Sequence, residues 1–234
     1  LSLSNDGNNL VIGTPTTVGA VTIDGTQSTG SIKIYKFSGN LWSLHGQELL
    51  GDGLTDFGKY VSITSNGSKI AIGSDKNSVV QVYDDVNSLS DWTLRSTITV
   101  SGATLDIGDL RLSDSGDRLF VMSGNEKVRV YDSTHTQEIE RGGVRKFSIT
   151  KDGSSMVLTS DTGLTEVFNR DDTSWSQLGP VITTNMTGGG ATVDIKNDGT
   201  FIVLAGSSDS LRLYKYDGGS WSLADSTSGQ YGSS

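Results

Sequence analysis

The chain has 234 residues, a net charge of −9 and no cysteine. The acidic charge argues against nucleic-acid binding, because lysine and arginine must neutralise the phosphates. The lack of cysteine excludes disulfide bonds and zinc–thiolate sites. No run approaches the roughly 20 apolar residues that a membrane-spanning helix requires, so we expect no membrane span.

A short hairpin phrase recurs five times along the chain. In residues 61–72, apolar residues alternate with small polar ones, an Asn-Gly pair follows, and a second apolar arm completes the phrase. This pattern predicts two antiparallel strands joined by a tight turn, in which the Asn-Gly pair supplies the positive φ angles. The five copies are 1–12, 61–72, 110–121, 147–158 and 193–204.

Two further elements follow each hairpin. The third element ends in an apolar and an aromatic residue, and the fourth carries a tryptophan in every copy but the third. The third copy has the run 134–139 instead, and the first copy contains an insertion, 14–30, between its second and third elements. Because the tryptophans recur once per copy at a fixed place, we interpret them as packing residues rather than sugar-stacking platforms. The aromatic and tryptophan positions are Tyr35, Tyr83, Tyr131, Phe168 and Tyr214, and Trp42, Trp92, Trp175 and Trp221.

Units of four short strands without helical periodicity are typical of β-propeller blades. We therefore predict an all-β, single-domain, five-bladed propeller over residues 1–234, with four antiparallel strands in each blade. Val61 and Ile63 of the first strand would face one neighbouring blade. The smaller Ser62 and Thr64 would face the other. The predicted blades are approximately 230–234 with 1–50, 56–100, 107–140, 143–184 and 190–229.

The two ends of the chain match an interior repeat when they are joined. Residues 231–234 followed by 1–7 align without a gap with residues 57–67. We therefore predict that the N- and C-termini meet, and that the last residues complete the inner strand of the first blade and close the ring. The termini would then lie within about 15 Å of each other, the span of roughly four extended residues.

Several phrases of the repeat point to a family. They are Ser-x-Asp-Gly before three apolar residues and glycine, Ile/Val-x-Val-Tyr, Trp-x-x-Leu-Gly, and Asp-x-Phe-Gly before the next hairpin. The whole chain, and residues 42–73 most closely, resembles FG-GAP-like propeller repeats. Similar repeats occur in large surface and secreted proteins of marine bacteria, algae and algal viruses. The resemblance implies a propeller with a non-enzymatic surface role.

One part of the FG-GAP pattern is missing. Integrin-type FG-GAP blades bind calcium through an Asp-x-Asp-x-Asp-Gly loop, which the hairpins of this chain do not contain. We interpret the recurring Asp6, Asp152 and Asp198 as turn residues, because aspartate tolerates turns and accepts hydrogen bonds from nearby backbone amides. The residues near the start of the expected calcium loop are Ser4, Ser65, Ser113, Thr150 and Lys196.

The sequence offers little support for catalysis. Its histidines, His45 and His135, fall on predicted outermost strands of different blades, and we interpret both as solvated edge residues. No Gly-x-Ser-x-Gly elbow precedes a helix. Because the inner strands repeat one small polar template, as a scaffold would, we predict that the protein is not an enzyme. A glycan-active hydrolase or lyase stays open as an alternative, since propellers host glycoside hydrolysis through paired carboxylates. The candidate acids are Asp56, Asp106, Asp109 and Asp194.

Loops on one face of the ring are the expected binding region, because loops on a rigid scaffold concentrate function. These loops join each outer strand to the next inner strand, and each second strand to the third. Asp24 lies in the long insertion, and Asp52 and Asp56 lie in the loop that leaves the same blade; all three are also weak candidates for a metal site. The predicted ligand-binding residues are Asp24, Asp52, Asp56, Asp75, Asp106, Asn125, Asp161, Asn185 and Asp209.

These observations predict a non-enzymatic binding and adhesion module at an extracellular, cell or virion surface. It would recognise a glycan or a surface protein through hydrogen bonds from loop aspartate and asparagine residues, with calcium as a candidate ligand. A structural component that associates with copies of itself in a surface or virion layer is the alternative function.

Overall fold

The computed structural model consists of strands, turns and loops in the part of the chain that it describes, and no helix that could cross a membrane occurs there. The described residues are 1–15, 30–51, 54, 56–74, 78–86, 91–100, 107–124, 126–172, 174–184, 192–206 and 210–228. The strands are β1 (Ser2–Leu3), β2 (Asn9–Thr14), β3 (Ser31–Ser38), β4 (Leu41–Leu44), β5 (Leu49–Leu50), β6 (Phe57–Ile63), β7 (Lys69–Ser74), β8 (Val79–Val86), β9 (Asp91–Thr99), β10 (Ile107–Leu112), β11 (Leu119–Ser123), β12 (Lys127–Tyr131), β13 (Gln137–Arg141), β14 (Lys146–Ile149), β15 (Ser155–Thr159), β16 (Leu164–Arg170), β17 (Trp175–Gln177), β18 (Ile182–Thr183), β19 (Thr192–Ile195), β20 (Phe201–Ala205), β21 (Ser210–Tyr216) and β22 (Trp221–Ser228).

Each repeat forms one antiparallel sheet whose strands follow one another in chain order. The five sheets are β1–β4, β6–β9, β10–β13, β14–β17 and β19–β22, and we number them first to fifth. The short β5 and β18 extend the first and fourth sheets by pairing with β3 and β16. The predicted all-β class and the four-stranded antiparallel unit are therefore confirmed, and the architecture is propeller-like.

The chain divides into two compact units, Leu1–Glu140 and Arg141–Ser234. The first unit holds the first three sheets, with the end of β13 at the boundary, and the second unit holds the fourth and fifth sheets. The predicted meeting of the termini depends on residues 229–234, which lie outside the described residues. The closed ring and the single domain therefore stay predictions.

The hairpin turn differs from the predicted Asn-Gly turn. Gly67 has a φ of 73°, whereas Asn66 is not among the residues with positive φ. The N–H of Gly67 donates to the Thr64 carbonyl at 3.0 Å, and the N–H of Thr64 donates to the Lys69 carbonyl at 3.0 Å. The connection is thus the four-residue loop 65–68, and the prediction that both residues of the pair adopt positive φ is wrong. Four-residue loops need only one left-handed residue, which glycine supplies. The equivalent glycines, all with positive φ, are Gly7, Gly116, Gly153 and Gly199.

The side chain that precedes each turn glycine caps the loop. In the second sheet, Asn66 Oδ1 accepts a hydrogen bond from the Ser68 N–H at 3.1 Å. This is the local bond that makes aspartate, asparagine and serine frequent in turns. The hairpin aspartates therefore accept hydrogen bonds within their own turns. The residues that accept the equivalent bond, each from the N–H two positions ahead, are Asp6, Ser115, Asp152 and Asp198.

Neighbouring sheets within a unit pack face to face. Ile63 lies in the apolar cluster that joins the first and second sheets. Ser62 points the other way, and its Oγ accepts the Leu112 N–H of the third sheet at 2.9 Å. The predicted alternation of faces along this strand is therefore confirmed. Small residues on the second face let the inner strands approach closely enough for a direct hydrogen bond.

Candidate binding groove

The outer strand of the first sheet is interrupted between β4 and β5. Gly46, with a φ of 92°, lies in the break. The Nε1 of Trp92, from the second sheet, donates a hydrogen bond to the His45 carbonyl at 3.1 Å. The indole of the second sheet therefore packs against the first sheet at this break.

The fourth and fifth sheets repeat this arrangement in the second unit. Gly179 has a φ of 73° and lies between β17 and β18. The Nε1 of Trp221 donates to the Leu178 carbonyl at 2.8 Å. The predicted packing role is thus confirmed for Trp92 and Trp221, because each indole joins two neighbouring sheets.

The prediction for His45 is wrong. His45 follows β4 rather than lying on an outermost strand, and it is buried. Its Nε2 lies 3.0 Å from Asp85 Oδ2, and its ring meets the Trp92 ring edge-on at a centroid distance of 6.2 Å. The second sheet therefore supplies the partners that hold the imidazole away from solvent.

The prediction for His135 is also wrong. His135 has a φ of 64° and lies in the turn between β12 and β13, where it is half-buried. Its Nε2 lies 3.3 Å from Ser96 Oγ of the second sheet. His135 thus takes part in the contact between the second and third sheets, in the repeat that has no tryptophan. Burial lowers the pKa of His135, and the positive charges of Arg95 and Lys69 lower it further.

Gln47 covers part of the open edge of the second sheet. Its Nε2 donates to the Trp92 carbonyl at 2.9 Å, and the Trp92 N–H donates to Gln47 Oε1 at 3.4 Å. Both backbone groups of Trp92 therefore point away from β8. At Trp92, the side-chain amide of Gln47 therefore makes the hydrogen bonds that a neighbouring strand would make. A side chain in this position protects an exposed sheet edge from pairing with another chain.

Next to this cover, a groove of about 690 Å³ lies between the first and second sheets. Its size falls within the roughly 300–1,000 Å³ of typical ligand sites. Gln81 and Tyr83 of β8 contribute to its wall, and the Tyr83 hydroxyl donates to Gln81 Oε1 at 3.0 Å. The lining residues are Gln47, Glu48, Leu49, Leu50, Gly51, Gln81, Tyr83, Asp91, Trp92, Thr93 and Leu94.

The charge of the groove is negative. Glu48 and Asp91 contribute carboxylates, and the described lining contains no cationic side chain. Lys33 Nζ lies 3.8 Å from Glu48 Oε1, but both side chains are exposed. Exposed pairs of this kind contribute little and exchange readily with other charges. The groove therefore favours ligands with positive charge and hydrogen-bond donors.

The equivalent space in the third sheet is filled. Arg129 occupies the register position of Gln81 and is 1% exposed. Its Nη1 donates to Ser123 Oγ at 2.8 Å, and its Nε lies 2.8 Å from Glu140 Oε2. A hydrogen bond from Lys127, aided by the charge of Arg129, lowers the pKa of Glu140. The long cation and its partners thus occupy the space that stays open beside Gln81.

Two of the predicted ligand-binding residues are described, and neither lines the groove. Asp56 is buried just before β6 with a φ of 56°. Asp161 Oδ2 accepts a hydrogen bond from Arg145 Nε at 2.6 Å. Gly51, which lines the groove, directly precedes Asp52 in the sequence. The predicted residues outside the described part of the chain are Asp24, Asp52, Asp75, Asp106, Asn125, Asn185 and Asp209.

The other acids with predicted chemistry have local partners. Asp109 Oδ1 accepts the Leu110 N–H at 2.8 Å, and Asp194 Oδ1 accepts the Ser148 hydroxyl at 2.7 Å. In the described ranges, no group of three histidine or acidic residues could hold a metal ion. Asp24 and Asp52, two of the three weak metal candidates, lie outside the described residues.

Sequence reasoning missed the groove, although the repeats contained a signal for it. The centre of each third strand carries one long polar residue at the same register position. Among these residues only Gln81 is uncharged, which marks the second sheet as different. The five residues are Lys33, Gln81, Arg129, Glu166 and Arg212.

No protein-family model matches the chain, and no curated protein matches it in sequence. Solved structures with the same fold do exist. A functionally unknown protein from Desulfotomaculum acetoxidans superposes with a TM-score of 0.68 at 13% identity, over 97% of this chain and 68% of its own. A protein from Lactobacillus plantarum superposes with a TM-score of 0.63 at 17% identity, over 94% of this chain and 82% of its own. These similarities establish a shared fold, and the FG-GAP resemblance stays a prediction.

Proposed function

We propose that this protein is a non-enzymatic binding and adhesion module that recognises a glycan or a surface protein. The observation that carries the proposal is the groove between the first and second sheets, which is open, acidic and of ligand-binding size. It lies on a framework of paired strands, and Gly51, which lines it, directly precedes Asp52 in the sequence. The proposed binding region also includes the loop residues expected from the sequence, Asp52 and Asp56.

The proposal includes a closed five-bladed ring. Three observations support it: the five sheets in chain order, the repeated docking of a tryptophan on the preceding sheet, and the match between the joined termini and residues 57–67. The resemblance to FG-GAP-like repeats supports an extracellular, cell-surface or virion-surface location. Calcium is proposed as an additional ligand of the acidic loops.

A glycan array and a panel of surface proteins, each screened with calcium and with a chelator, test this function. We expect binding that Glu48→Lys abolishes and Asp117→Lys preserves, because Asp117 is an exposed acid in a hairpin loop outside the groove. Both substitutions change the net charge equally. The absence of any ligand in both screens, or equal loss in the two variants, would contradict the proposal.

Self-assembly is the second candidate function, favoured by the exposed outer strand of the first sheet. β4 exposes Leu41, Trp42 and Leu44, and an apolar edge strand readily pairs with another chain. If this strand mediates assembly, light scattering should show oligomers that Leu41→Lys dissociates. A monomer over the full accessible concentration range would exclude this function.

A further inference from the structure

We propose that the groove binds an extended polypeptide segment with alternating apolar and basic side chains, which adds as a strand to the open edge of β9. The inference rests on the proposed binding role and specifies the class of ligand. Four observations lead to it: the direction of the backbone groups on β9, the exposed leucines, the charge of the lining and the burial of the aromatic rings.

The backbone of β9 offers hydrogen bonds at its open edge. The Gln47 contacts show that the N–H and carbonyl of Trp92 point outward. Backbone groups alternate in direction along an antiparallel strand, so Leu94 presents its own pair at the same edge. The register shift between β8 and β9 lies between the pairs Tyr83–Leu94 and Val82–Ser96. It therefore does not change the alternation from Trp92 to Leu94. Gln47 satisfies the edge at Trp92, and the edge at Leu94 lies in the groove.

The exposed apolar surface of the groove suits alternate side chains of a strand. Leu94 is 46% exposed and Leu50 is 66% exposed, and both line the groove. Side chains of a bound strand alternate between its two faces, so every second residue would contact these leucines. This combination of main-chain pairing and side-chain pockets is the usual mode of strand addition.

The charge of the groove selects basic residues at the remaining positions. Glu48 and Asp91 line it, no cationic side chain occurs in the described part of the lining, and the protein as a whole carries a charge of −9. Lysine or arginine on the ligand would replace the weak pairing of Glu48 with Lys33. An acidic peptide would meet repulsion at both carboxylates.

The aromatic residues of the groove favour a peptide over a glycan. Trp92 is 3% exposed and Tyr83 is 8% exposed, so neither offers an open ring face on which a sugar could stack. The Trp92 indole and the Tyr83 hydroxyl also have hydrogen-bond partners within the protein. The open strand edge is therefore the stronger recognition element.

Calorimetric titration with a blocked decapeptide of alternating lysine and valine tests the proposal, at about 150 mM salt to screen long-range attraction. The comparison peptides are its glutamate–valine counterpart and a version N-methylated at alternate backbone nitrogens. The key variant is Leu94→Pro, because proline removes the N–H and is tolerated on edge strands. Leu223→Pro is the matched control, since Leu223 holds the same register position in the fifth sheet, opposite Tyr214.

We expect the lysine–valine peptide to bind, and Leu94→Pro to weaken it roughly tenfold while Leu223→Pro leaves it unchanged. Glu48→Lys should weaken binding similarly. If Leu94→Pro lowers the unfolding midpoint, Glu48→Lys and the N-methylated peptide together test strand addition in its place. Binding that persists in Leu94→Pro and with the N-methylated peptide would overturn strand addition.

The glycan and surface-protein screens of the proposed function separate the remaining outcomes. If no peptide binds and a glycan binds in a Glu48-dependent manner, the peptide class is overturned and the binding role stands. If no peptide, glycan or surface protein binds, both proposals fail.

Discussion

Gln81 and Arg129 occupy the same register position in two neighbouring sheets, with opposite results. Beside Gln81 the space between the sheets is an open groove of about 690 Å³. Beside Arg129 the space is filled by a buried guanidinium whose partners are Ser123 and Glu140, and Lys127 pairs with the same Glu140. The backbone pairing around both residues is equivalent. At one position of a repeated framework, the neighbouring sheets therefore enclose an open groove beside a glutamine and an ion cluster beside an arginine.

The difference between Gln81 and Arg129 should change stability most. Arg129→Ala should lower the free energy of unfolding by about 3 kcal/mol, because it leaves a cavity and removes a buried guanidinium that bonds to Ser123 and Glu140. Gln81→Ala should cost less than about 1 kcal/mol, because an open groove creates no new cavity. Urea denaturation of the two variants measures the contrast, and equal costs would contradict it.

The turn glycines provide a second contrast between positions of equal backbone geometry. Gly7 and Gly67 both have a φ of 73°. A Cβ at Gly67 would lie 2.2 Å from Asn9 Nδ2 of the first sheet, whereas a Cβ at Gly7 would meet nothing within 4 Å. We expect Gly7→Ala to cost about 1 kcal/mol and Gly67→Ala about 3 kcal/mol, as the sum of backbone strain and overpacking. Thermal and urea unfolding should rank them in this order; the reverse order would show that the sheets do not pack as described.

The contact between the second and third sheets should respond to pH. The groups that face His135 are Ser96, Arg95, Lys69, Asp84 and Asp132. Because folding lowers the pKa of His135, the unfolded chain binds the proton more readily. The contribution of His135 to stability is therefore present above the ordinary histidine pKa of 6.5 and is lost as the pH falls below that value.

His135→Gln should flatten this slope between about pH 7 and pH 5 relative to the unsubstituted protein, in denaturation series at fixed ionic strength. An unchanged slope would show that His135 does not cause the pH dependence of stability.

The hairpin carboxylates should change stability least, and only at acidic pH. A hydrogen bond from the Ser4 hydroxyl, with the Asn8 N–H, lowers the pKa of Asp6. Burial opposes the shift at Asp152, where bonds from Ser154 and Thr150 nevertheless lower the pKa. Since folding lowers these values, the contribution is complete above the ordinary aspartate value of 3.8 and is lost as the pH falls through the folded values.

Asp152→Asn should retain the loop, as Asn66 does in the second sheet, and remove this part of the acid dependence. Unfolding followed from about pH 5 to pH 2 measures the change. A variant that is less stable at neutral pH by as much as Asp152→Ala would contradict the equivalence of the two caps.

The sequence allowed the repeated framework to be predicted, because the evidence for it is local. Alternating apolar residues set the strands, and the turn glycines set their register, so the pattern places Val61, Ser62 and Ile63 on the faces that they occupy. The groove and the position of His45 depend on contacts between residues far apart in the chain. Gln47 and His45 meet Trp92 and Asp85 only after two sheets have packed, and no local pattern marks such pairs.

The groove between the first and second sheets is the proposed binding site. Amide chemical-shift mapping during titration with the lysine–valine decapeptide would locate the bound peptide directly. We expect the largest shifts at 47–51, 81–83 and 91–94, with none at the equivalent positions around Arg129. Shifts of equal size in both sheets, or shifts confined to the hairpin loops, would contradict the claim.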